Sequence, residues 1–144
     1  MSALRIRYET MQLKTRYELH QVTPAEAIHL LLLTEDAFHQ WASAYPNDPW
    51  LASTGYAMAQ LYEELPGASA RDHAVALLIY VKASFPASRY AGTSRDQLHR
   101  GVAIKPEPAW AAALPPANST ASPLPSATAD DQTPAATPTQ TSPP

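Results

Sequence analysis

The sequence predicts an all-α fold: antiparallel helix pairs stacked as a short solenoid, followed by a disordered C-terminal tail. Three observations carry that expectation. Apolar residues recur at helical spacing across residues 3–102, Pro and capping residues punctuate them, and one stretch returns forty residues later. Composition sets the outer bounds. The 144 residues suit one domain. They include no cysteine, which excludes a disulfide framework and a thiolate zinc site. A net charge of −3 and a pI near 5.9 argue against a general nucleic-acid binder. The run of four aliphatic residues from Leu30 to Leu33 is far short of a membrane span.

The first segment, residues 3–20, carries two apolar faces: Leu4, Tyr8, Met11 and Leu19 on one, Ile6, Leu13 and Tyr17 on the other. A bulged strand shares the same alternation, but the Arg, Glu, Gln, Lys and Leu content without Gly or Pro favours helix. Thr23-Pro24-Ala25-Glu26 is a helix start, with a cap, a Pro at the first position and a capping-box Glu. It opens a helix over 24–44 that buries Ile28, Leu31, Phe38, Trp41, Ala42 and Tyr45, with Leu30, Leu32 and Leu33 widening the stripe until Pro46. Asp48-Pro49 begins the next, 49–65, with Leu51, Met58, Leu61, Tyr62 and Leu65 inward. Pro66-Gly67 breaks it, and Ser69 to Asp72 opens a helix over 70–85 through Ala74, Leu77, Leu78, Val81 and Phe85. Ser88 caps a weaker helix over 89–102, softened by Gly92 and Gly101. The expected core is Leu31, Phe38, Trp41, Tyr45, Met58, Tyr62, Leu78, Val81 and Phe85.

Composition breaks at Pro106. Residues 106–144 hold ten of the fifteen prolines amid Ala, Ser and Thr, with Trp110, Leu114 and Leu124 as their only large apolar residues. So little apolar surface does not offset the entropy of ordering, which predicts a polyproline-II-like spacer after a helical domain at 1–105. Charge is uneven within that domain. It runs +2 over 1–20, −6 over 21–70 and +4 over 71–105, an acidic middle between basic ends that docking elements can use or that stays solvated.

The stretch Phe38 to Asp48 aligns with Leu78 to Ser88 at an offset of forty, each ending a helix in aromatic-Pro before a cap. Ala37-Phe38-His39-Gln40-Trp41 up to Tyr45-Pro46-Asn47-Asp48-Pro49 resembles the tetratricopeptide-type repeats of periplasmic proteins, those of the Tol-Pal cell division coordinator and outer-membrane assembly lipoprotein type. The resemblance covers roughly residues 23–102. It places the family's first-helix pattern on Gly55, Met58, Ala59 and Tyr62, and its second-helix pattern on Ala74, Leu78, Val81 and Pro86. Gly55 stands where the family has a bulky residue, Val81 and His99 where it has small ones. The resemblance implies recognition by a helical repeat rather than chemistry, and it leans toward the bacterial envelope. Met1 to His20 itself has no apolar signal core.

The residues add no reaction to that. There is no nucleophile motif, no phosphate-binding glycine loop and no H-E-x-x-H, so no catalytic residue, metal or cofactor is expected. Glu35 and His39 lie four apart with Asp36 beside them, a spacing more often a surface pair than a metal site. His73 reads as surface. The aromatic residues are informative. Tyr56 and Tyr90, with Gln60, Glu63, Arg95 and His99, are expected to line the concave side of the stack. The expected function is a non-catalytic module binding a protein or peptide, without nucleic acid or membrane insertion. The alternative is a structural, homo-oligomerising envelope protein whose incomplete last repeat contacts another subunit.

Overall fold

The structure, a computed structural model, describes residues 1–114. Those residues form five α-helices, and no extended strand occurs among them. Helix α1, Ala3–Glu18, starts where the Ser2 hydroxyl accepts the Arg5 N–H and ends two residues before the expected boundary. There His20 takes a left-handed φ of 56°. Ile6, Thr10, Leu13 and Tyr17 are buried, while Leu4, Tyr8, Met11 and Leu19 face solvent. The segment is therefore a helix, and one of its two apolar faces carries the packing.

Helix α2, Pro24–Ala44, begins with the Thr23 hydroxyl accepting the Glu26 N–H at 3.1 Å and Pro24 in its first turn. Leu31, Phe38 and Trp41 are buried as expected. Tyr45 is not a core residue: it is 67% exposed. The helix stops at Ala44, and the cap conformation of Tyr45 carries its side chain off the buried stripe. Leu32 and Leu33 also face outward, so the broad apolar run does not mean cover on a second side.

Asp48 organises the next turn. Its carboxylate accepts the Trp41 indole N–H at 3.0 Å and the Trp50 backbone N–H at 2.9 Å. Helix α3, Trp50–Glu64, follows and buries Leu51, Met58, Leu61 and Tyr62. Helix α4, Ala68–Ser84, starts one residue before Ser69, straight from Gly67 at a φ of 97° without a side-chain cap. It buries Ala70, Ala74, Leu77, Leu78 and Val81; Phe85 beyond its end is half-buried, its ring edge-on to Tyr80 at 5.8 Å. Helix α5, Arg89–Arg100, is capped by Ser88 and closes at Gly101, φ 84°. Successive helices pack on one another, and α3 touches all four of the others. The core, from Ile6 through Phe38 to Leu78, is centred on it.

The ordered chain runs past the predicted domain end at 105. The Gly67 N–H donates to the Lys105 carbonyl at 3.0 Å, and a short 3₁₀ turn follows at Ala109–Ala113. Trp110 stacks on the His20 ring at 4.0 Å and meets the Tyr17 ring edge-on at 5.3 Å. Residues 106–114, expected as tail, are thus anchored to the end of α1, because one large aromatic side chain supplies the apolar contact the prolines lack. The remainder of the expected tail, 115–144, lies outside the described residues.

Candidate functional site

Four of the six expected surface residues come together on α3 and α5. Tyr56 and Tyr90 face one another with ring centroids 5.3 Å apart, both half-buried. The Gln60 amide, one turn after Tyr56, donates to its hydroxyl at 3.2 Å. Arg89 flanks the pair from the other side, its guanidinium 4.8 Å from the Tyr90 ring centroid and bonded to the Tyr90 hydroxyl at 2.8 Å. Burial raises the Tyr56 phenol, with Glu63 adding to the effect. Each ring offers a hydrogen-bonding edge and an apolar face for contact.

Glu63 lies on the next turn of α3 and accepts a hydrogen bond from the Gln97 amide of α5. Its second carboxylate oxygen is enclosed and has no partner among the described residues. Burial pushes the Glu63 carboxyl up from its ordinary value; the nearby Lys105 charge pulls it part of the way back. A cleft of about 340 Å³ opens here, walled by Lys14 of α1 and by Lys105, with Gln60, Glu63 and Glu64 along α3. Lys14 bridges Glu64 at 2.6 Å and Glu18 at 2.8 Å, and those two hydrogen bonds hold its ammonium above its usual range.

Arg95 and His99 do not join this surface. Five and nine residues beyond Tyr90, they fall roughly 140° and 180° around α5 and are exposed on its outer side. Gln97, seven residues on, returns to the Tyr90 face. The two-turn spacing from Tyr90 to Gln97 was the available signal for it.

A second polar constellation was not foreseen. Glu35 is buried, 6% exposed, and its carboxylate accepts the Tyr62 hydroxyl at 2.6 Å. His73 Nδ1 lies 2.8 Å from the same oxygen and His39 Nε2 3.3 Å from the other. The Tyr62 and His73 rings stack at 5.0 Å. His73 therefore packs against the core rather than standing free on the surface, and Glu35 with His39 is not a simple surface pair. Burial first, and the bond to Glu35 second, raise the Tyr62 phenol far above its normal value. The hydroxyl is a permanent donor that ties α3 to α2, with α4 joined through His73. Among the described residues no group of three or more Asp, Glu or His is arranged to hold a metal ion.

No helix is long and apolar enough to cross a membrane among the described residues. No family model, curated protein or solved structure matches the chain, so the reading of this surface rests on its own chemistry.

Proposed function

We propose that this chain is a non-catalytic helical module that recognises an extended peptide or protein segment across α3, α5 and the end of α1. The observation that carries the reading is the half-buried Tyr56–Tyr90 pair, joined through Gln60 to the cleft between Lys14 and Lys105. Aromatic side chains with a free face and a polar edge supply most of the energy of such contacts. The amide of Gln60 and the lysines at the cleft walls offer donors for backbone carbonyls and acidic side chains. The contacts of α3 with both α1 and α5 support a stacked, repeat-like arrangement that presents alternate helices on one side. The subunit-contact alternative draws less support, because the outer face of α5 carries Arg95, Asp96 and His99 rather than an apolar stripe.

Selection of peptides from a random library on the full chain, followed by calorimetric titration, tests this. Tyr56→Ala with Tyr90→Ala should weaken a selected peptide by about 1 kcal/mol or more, the usual mark of an energetically significant contact. Peptides that bind equally well to the double variant and leave the Gln60 and Gln97 side-chain resonances unmoved would overturn the assignment.

A further inference from the structure

A separate surface lies at the turn between α2 and α3. Tyr45 is 67% exposed and Trp50 53% exposed, beside Pro46 and Pro49, around an open hollow of about 590 Å³. Two large aromatic rings left in water next to a packed core are the unusual feature. Their backbone setting is fixed. The Tyr45 N–H donates to the Trp41 carbonyl, the Asp48 N–H to the Tyr45 carbonyl, and the Asp48 carboxylate holds both Trp41 and Trp50. The Arg7 guanidinium sits 4.1 Å from the Trp50 ring centroid and orients that ring. Neither the Trp50 indole N–H nor the Tyr45 hydroxyl has a hydrogen-bond partner among the described residues.

We propose that this aromatic shelf binds proline-rich sequence, and that its occupant is the chain's own segment Pro123-Leu124-Pro125. A polyproline-II ligand has no internal hydrogen bonds and presents free carbonyls beside flat apolar rings. Aromatic side chains with outward-pointing donors are the complement that grooves for such ligands use. The choice of occupant follows from where the described chain ends. Trp110 is anchored on Tyr17 and His20, at the C-terminal end of α1. The shelf lies toward the other end, with Trp50 beside Arg7 and Tyr45 lining a hollow together with Met1 to Ala3. The length of α1 sets that separation at about 24 Å, from 1.5 Å per residue. Nine residues from Leu114 to Pro123 cover roughly 28 Å as polyproline II, enough to arrive, whereas Pro115-Pro116 are too near their anchor. Tethering makes the encounter intramolecular, so a contact too weak to hold a free peptide suffices.

The chain has no cysteine, so Ser122→Cys provides a unique site for a paramagnetic label on the full-length protein. The Trp50 indole N–H resonance should then lose most of its intensity, while amides near Ile79 on α4 keep theirs. Tyr45→Ala, or Pro123→Ala with Pro125→Ala, should restore it; both leave the core untouched. A Trp50 signal indifferent to the label, or broadened equally in the Tyr45→Ala protein, would overturn the proposal. A mixture of isotope-labelled unmodified chain with spin-labelled chain settles the source. Broadening in that mixture as strong as within one molecule would place the occupant on another copy and overturn the intramolecular assignment.

Discussion

Gly55 shows how one missing side chain shapes this core. An added Cβ would stand 3.1 Å from both Phe38 Cζ and Val81 Cγ2, so the glycine is the space those two side chains fill. Gly55 and Val81 each depart from the repeat pattern noted in the sequence, one smaller and one larger than expected, and in space the departures compensate. Gly55→Ala should gain about 1 kcal/mol of helix propensity and lose about 1–3 kcal/mol to overpacking. In a double-mutant cycle with Val81→Ala, urea denaturation should give a favourable coupling of about 0.5 kcal/mol or more; simple additivity would refute the compensation. Glu63 yields a prediction with a sign. Its carboxyl is raised in the folded protein from the ordinary value of 4.5, so the folded state binds the extra proton. Stability from this group is complete below that value and declines as pH rises through the raised one. Glu63→Gln should flatten the fall of melting temperature with pH just above 4.5, the ordinary carboxyl value. An unchanged profile would mean the carboxyl titrates normally.

At the level of elements, the helices were legible because their signals are local. Thr23-Pro24 and Asp48 announce starts, Pro46, Gly67 and Gly101 announce ends, and the observed boundaries fall within two residues of the expected ones. What was not legible is non-local or sits at a helix end. Tyr45 continues the apolar period of α2 on paper, but the helix stops one residue before it. His73 meets Glu35 across thirty-eight residues, a pairing no spacing rule reaches. Arg95 and His99 follow the right residues on the wrong side of α5. Trp110 is the largest omission, since composition marked its neighbourhood as tail. Its contacts with His20 and Tyr17 should contribute about 0.5–1.5 kcal/mol beyond the area it covers. Trp110→Ala should therefore lower the melting temperature by about 4–8 °C, the usual response of a domain this size to such a loss. A melting curve that does not move would return residues 106–114 to the tail.

Over the whole molecule, the uneven charge finds a use. Basic Lys14, from the first segment, bridges acidic Glu64, and Lys105, after the last helix, sits near enough to Glu63 to draw its carboxyl down. Both basic stretches, 1–20 and 71–105, thus meet the acidic middle on α3, the helix at the centre of the core. Such partly exposed pairs are worth little singly, so their role is to set which ends dock where. The return of residues 101–110 has a larger effect. A linear array of helices, each leaning only on its neighbours, melts from its free ends inward, and its end units exchange amide hydrogens first. Here the strand of backbone leaving α5 is pinned beneath the α3–α4 turn at Gly67 and clasped to the far end of α1 through Trp110. Among the described residues, the first and last α-helices are thereby linked through the segment that follows α5. Helix α5 and the segment after it cannot peel away without releasing the contact at the C-terminal end of α1, so opening of the last helix is coupled to that end of the first.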